Sequence, residues 1–158
     1  VETIPFDLLK LGYHLGLAVI VGGGLVLGAA AAPAIFATAK TRGEGGTFFG
    51  NILARYDGLA LLALLVVALA TVLKAFGYET VAPPIVARWI ALAVMGAATL
   101  YASAWANPIA RALRAATEDW DSLPEASPAR REFMTLHRRS RRAMSIAVVA
   151  GIVALFFS

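Results

Sequence analysis

The chain has 158 residues, enough for one compact domain, and 59% of them are hydrophobic, with a mean hydropathy of +0.74. So much apolar surface excludes an ordinary soluble domain, and the absence of cysteine excludes disulfides, thiolate metal sites and thiol catalysis. The formal charge of +4 does not point to nucleic acid, because the basic residues flank apolar runs.

Residues 1–10 read as a short lead-in, with Pro5 suited to a first helical turn and Phe6, Leu8 and Leu9 to an interface. No cleavable leader is expected, since Val1 and Glu2 supply no basic start and the first apolar run is too long for a leader core. No formal charge stands between Lys10 and Lys40, well beyond the ~20 apolar residues that cross a bilayer core. Gly12 and Gly16 stand four apart, as do Gly24 and Gly28, and both pairs predict faces for close helix packing. The first helix, over about 6–39, is expected to be the most enclosed of a small bundle, with Pro33 bending its last turn. Gly43, Gly45 and Gly46 then predict a flexible loop.

A second helix is expected over about 48–76. Its uncharged core, Gly58 to Leu73, is short, so Asp57 or Lys74 must sit at the membrane boundary. Lys74 can snorkel; Asp57 is too short for that and needs a protein partner. Pro83 and Pro84 open a third helix over about 85–113, with Trp89 and Trp105 near its ends as interfacial aromatics and Asn107-Pro108 at its inner end. Residues 115–127 hold Glu118, Asp119, Asp121 and Pro124 and read as a solvated loop. Ser127-Pro128 is an N-cap with proline at the first helical position, opening a fourth helix over about 128–157 whose apolar part begins only at Ala143.

The fold class is therefore an all-α, four-helix transmembrane bundle occupying the whole chain, 1–158, as one domain. With four spans, Lys10, Lys74 and Arg88 flank the side of the termini, and the other eleven basic residues flank the opposite side. The positive-inside rule then sets both termini on the non-cytoplasmic side of a bacterial inner membrane.

On a helix, Phe133, His137, Ser140 and Met144 share one face, while Arg138, Arg139, Arg141 and Arg142 crowd the rest. His137 and Ser140 are expected to point into the bundle, and the arginines to meet anionic lipid headgroups. Arg55, Asp57 and Asn107 reach the same level, so Arg55, Asp57, Asn107, His137 and Ser140 form a candidate polar cluster, with Asp57 the expected partner of His137. This cluster is either a site for an ion or a clasp that ties helix ends together by hydrogen bonds. Met134, His137 and Met144 lie near one stripe that soft-metal binding would require; core filling explains methionine equally well. His14 lies near the opposite end of the bundle from His137, so the two cannot share a haem iron. The run Gly22–Gly24 lacks the setting of a phosphate loop. No nucleophile–base pair or paired carboxylate falls inside a span, so the sequence points away from an enzyme, and no cofactor is expected.

The first span ending Ala32-Pro33-Ala34-Ile35-Phe36, Arg55 opening helix two, Asn107-Pro108 after helix three, and Phe133, Leu136, His137 and Ser140 opening helix four occur here in an order that resembles the transmembrane-protein-205-like family. The resemblance implies a four-helix integral membrane protein and brings no settled activity. The function expected is that of a non-catalytic accessory or structural subunit, packing in a larger membrane assembly or with copies of itself. The alternatives are a small transporter for a metal or organic ion, and a haem or quinone redox protein.

Overall fold

The computed structural model describes residues 3–158; Val1 and Glu2, the start of the expected lead-in, lie outside the described residues. These residues form four long helices joined by short connections: α1 (Ile4–Thr38), α2 (Arg42–Gly77), α3 (Pro83–Ala116) and α4 (Pro128–Phe156). Helices α1, α2 and α3 are each long and apolar enough to cross a membrane. In α4 only the C-terminal half is apolar.

The helices begin where local chemistry starts them. Thr41 caps α2 by accepting the Glu44 amide at 3.1 Å, and the Glu44 carboxylate reaches back to the Lys40 amide at 2.9 Å, so two otherwise unpaired donors are satisfied reciprocally. Helix α2 consequently starts about one and a half turns earlier than expected, and the glycines read as a flexible loop are its first turns. Gly43 lies against the Asp121 carboxylate, which would have to swing aside for any side chain there. Ser127 caps α4 by accepting the Arg130 amide, with Pro128 at the first helical position. The 117–127 connection is docked rather than loose. Arg130 donates to the Trp120 carbonyl at 2.8 Å, the Trp120 ring meets Phe133 edge-on, and the Arg114 guanidinium lies 3.8 Å from Asp121 Oδ1.

The two helices with a proline well inside them change pitch before that proline. Residues Leu27–Ala31 of α1 precede Pro33, and Leu100–Ala106 of α3 precede Pro108, as π-helical stretches. A proline cannot donate to the carbonyl four residues back and its ring crowds that carbonyl; a wider turn accommodates both effects. In α3 the wide turn also preserves facing. Ala98, Ala102, Ala106 and Ala110 recur every four residues, a spacing that would drift around a regular helix, yet all four are buried. Thr99, Ser103 and Asn107 beside them are buried too.

Helix α1 packs on α2 and α4, α4 packs along α3, and α2 meets α3 mainly at the π-helical stretch. The core is built from Tyr13, Leu17 and Ile20 of α1, Ala63 and Val67 of α2, the small row of α3 with Met95, and Ala143, Ala147, Ala150 and Ala154 of α4. Helix α1 is not the most enclosed element, for α3 buries a larger share of its apolar segment. Beyond Leu27, α1 buries no residue.

Of the four predicted packing glycines, Gly16 and Gly24 stand at close approaches. A methyl group at Gly16 would lie 2.5 Å from Val67 Cγ2 and 2.9 Å from the Ala63 carbonyl oxygen, and one at Gly24 would lie 2.7 Å from Val148 Cγ2. Gly12 is in ordinary contact with Val66, whereas Gly28 has nothing within 4 Å. Gly28 is exposed and does not pack inside the bundle, which corrects its expected role there.

Candidate functional site: a polar clasp and a buried ion triad

Charged and polar side chains are buried at both ends of the bundle. At the arginine-rich end, α2 brings Asp57, α3 brings Asn107 and Arg111, and α4 brings Ser140. Asn107 Nδ2 donates to Asp57 Oδ1 at 2.8 Å, Arg111 donates to Asp57 Oδ2 at 2.6 Å, and the Ser140 hydroxyl donates to Asn107 Oδ1. Asp57, Asn107 and Ser140 are 3%, 4% and 2% exposed. A carboxylate this buried requires charge-assisted donors, and it has one on each oxygen. Asn107 is used from both ends of its amide, so one side chain ties three helices together. The bonds run in an unbroken chain from Ser140 through Asn107 and Asp57 to Arg111, and so join α2, α3 and α4.

The structure thus brings together Asp57, Asn107 and Ser140 of the candidate cluster and leaves two members out. Arg55 is exposed. His137 is half-buried, stacked flat on Phe133 with ring centroids 6.0 Å apart, and is not a partner of Asp57. The cause is the rotation of α4. Its small row of Ala143, Ala147, Ala150 and Ala154 permits the closest approach to α3, and that row carries Leu136 and Ser140 inward. His137 follows Leu136 by about 100° around the helix and so falls on the flank. It lies before the apolar part of α4, and burial together with the neighbouring Arg141 guanidinium lowers its pKa from the usual 6.5. Met134 is exposed, while Met144 packs against the core, so the Met134, His137, Met144 stripe does not converge.

Arg111 was not singled out in the sequence, although it stands one turn beyond Asn107 on the same face. The cluster at the opposite end was missed entirely. Lys74 Nζ lies 3.2 Å from Glu79 Oε1, and Arg88 donates to Glu79 Oε2. Lys74 and Arg88 are each 4% exposed, so the lysine expected to snorkel is instead turned inward. Its ammonium sits 4.6 Å from the centre of the Tyr13 ring, a cation–π contact, and the Tyr13 hydroxyl donates to the Ala154 carbonyl at 3.4 Å. Arg88 Nε has no partner among the described residues. Nearby, His14 donates from Nδ1 to the Lys10 carbonyl at 2.8 Å while Nε2 lies 3.3 Å from the Ser158 hydroxyl. Both of its nitrogens are therefore engaged.

Fold and clusters together define a membrane-type helical domain. The chain belongs to a family described as a domain of unknown function, DUF4149, whose profile matches residues 15–119. The matched stretch carries Asp57, Asn107 and Arg111 of the clasp and all three residues of the ion triad, and it ends before α4. No curated protein and no solved structure matches the chain.

Proposed function

We propose that this protein is a non-catalytic integral membrane protein of four spanning helices that docks the second half of α1 against another membrane subunit or a second copy of itself. The observation that carries this reading is the bare face of α1 beyond Leu27. Gly28, Ala29, Ala30, Pro33 and Ala34 are all exposed, and nothing approaches the Cβ position of Gly28 within 4 Å. Small residues on an uncovered helix face allow a second helix to come close enough for strong dispersion contacts. The clasp supports a structural role, because Asp57, Asn107, Arg111 and Ser140 satisfy one another.

Spanning by α4 is supported by its course. It runs beside α1 and α3 from Ala154 at Tyr13 to Ser140 at Asn107. Ile146, Val149, Ile152 and Val153 on its outer side are between 39% and 61% exposed. The resemblance to the transmembrane-protein-205-like family supports four spans as well. The uneven distribution of basic residues supports termini on the non-cytoplasmic side of a bacterial inner membrane.

The test is crosslinking in native membranes. Cysteine introduced at Ala30 should give a crosslinked species larger than the monomer, while cysteine at Leu65, exposed on the outside of α2, should not. A monomer at both positions, with nothing else retained in mild detergent, overturns the proposal.

A further inference from the structure

One side of α4 changes character along its length in the order a phospholipid does. At the arginine-rich end an open groove of about 630 Å³ is lined by His137, Arg138, Arg141, Arg142, Ser145 and Ile146, with Met134 at its edge. The three arginines are exposed, and none has a carboxylate partner among the described residues. Steps of three and four residues set Arg138, Arg141, Arg142 and Ser145 on one face. The same face continues through Val149, 61% exposed, and Val153, 39% exposed. Three cationic forks, a hydroxyl and an imidazole are therefore followed, in one line along the helix, by an apolar rail.

Guanidinium groups pair with phosphate through two parallel hydrogen bonds. An acyl chain lies along exposed branched aliphatic side chains in bilayer hydrocarbon without leaving polar groups unsatisfied. A soluble anion would use the arginines but not the rail. We propose that this groove is a binding site for the headgroup of an anionic phospholipid of the leaflet at the arginine-rich end, with one acyl chain lying along Val149 and Val153. The site lies on α4, outside the stretch that defines the family match. The proposal rests on α4 spanning the bilayer and not on the docking face of α1, so failure of either experiment leaves the other reading standing.

The experiment titrates the full chain, purified in a neutral detergent, with dioleoylphosphatidylglycerol and separately with dioleoylphosphatidylcholine, reading bound lipid by native mass spectrometry. Arg141→Gln/Arg142→Gln is expected to weaken phosphatidylglycerol binding about thirtyfold, whereas Arg131→Gln/Arg139→Gln, an equal loss of charge outside this groove, changes it less than about threefold. Circular dichroism of the same samples separates loss of lipid from loss of fold, and Arg138→Gln alone carries the test if the double variant is unfolded. Equal weakening by the two double variants overturns the site, as does equal binding of phosphatidylcholine. Displacement of the lipid by glycerol phosphate at matching concentration overturns it in favour of a free-anion site.

Discussion

Replacing Asn107 by alanine is the most direct test of the clasp. The substitution removes the donor 2.8 Å from Asp57 Oδ1 and the acceptor of the Ser140 hydroxyl in a single step. Asp57 keeps Arg111 at 2.6 Å, so its charge stays paired, but Oδ1 of a residue 3% exposed loses the donor it has among the described residues. A hydrogen bond to a charged group is worth about 1.5–3 kcal/mol. Bonds between membrane helices average nearer 0.6 kcal/mol, because polar groups also find partners in the unfolded membrane state. Ser140 has such an alternative in the carbonyl one turn back on its own helix, so its share falls at the low end. The Asp57 carboxylate has no backbone amide bonded to it as a substitute among the described residues, and the expected loss for Asn107→Ala is about 2 kcal/mol, against under ~1 kcal/mol for Ser140→Ala. Both are read by unfolding in mixed micelles at rising sodium dodecyl sulfate, followed by circular dichroism. An Asn107→Ala protein within ~0.5 kcal/mol of wild type, or no more destabilised than Ser140→Ala, refutes the reasoning.

The same assay checks three further outcomes. Gly16→Ala and Gly24→Ala each push a methyl group into Val67 or Val148 and should cost about 1–3 kcal/mol, while Gly28→Ala, with open space around it, should be neutral or slightly stabilising; equal effects at all three contradict the assigned close approaches. Glu79→Gln leaves Lys74 and Arg88 buried without their shared carboxylate and should cost about 3–5 kcal/mol, partly restored by adding Lys74→Met; if the added substitution worsens the loss, the ion triad is not what Glu79 holds. Thr99 is 4% exposed with no partner for its hydroxyl among the described residues, so Thr99→Val, of nearly equal volume, should be neutral or stabilise by up to ~1 kcal/mol, and a clear destabilisation would show that the hydroxyl is bonded.

The charge-free runs around helices α1 to α3 make the spans legible in the sequence, and the shortness of the uncharged part of α2 makes the need of Asp57 for a partner legible too. The identity of that partner is not. Arg138, Arg139, Arg141 and Arg142 exclude much of the surface of α4 from the core but leave a wide arc free, so they set its rotation only loosely. The alanine row sets it closely, and alanine is too common in this chain to be read as a signal. Lys74 and Arg88 are hidden for another reason. A charge beside an apolar run is read as flanking, and only the fold of the 78–82 connection brings Glu79 back between them. The glycines at 43 and 46 show the same limit, since a glycine that lies against a side chain far along the sequence, as these lie against Asp121 and Arg114, looks like a glycine kept for freedom.

The seam between α3 and α4 has a thermodynamic consequence. Alanine has no rotamers to freeze, whereas a leucine or isoleucine gives up about 0.5–1 kcal/mol of side-chain entropy when it is fixed in a core. Ala91, Ala98 and Ala102 meet the core beside Ala143, Ala147, Ala150 and Ala154, so these two helices come together with little loss of disorder at the contact itself. Most of the ordering falls on a few long side chains around that seam: Met95 within it, Leu136 at one end and Arg88 at the other. Assembly of this pair is therefore opposed chiefly by the confinement of whole helices rather than of the side chains between them.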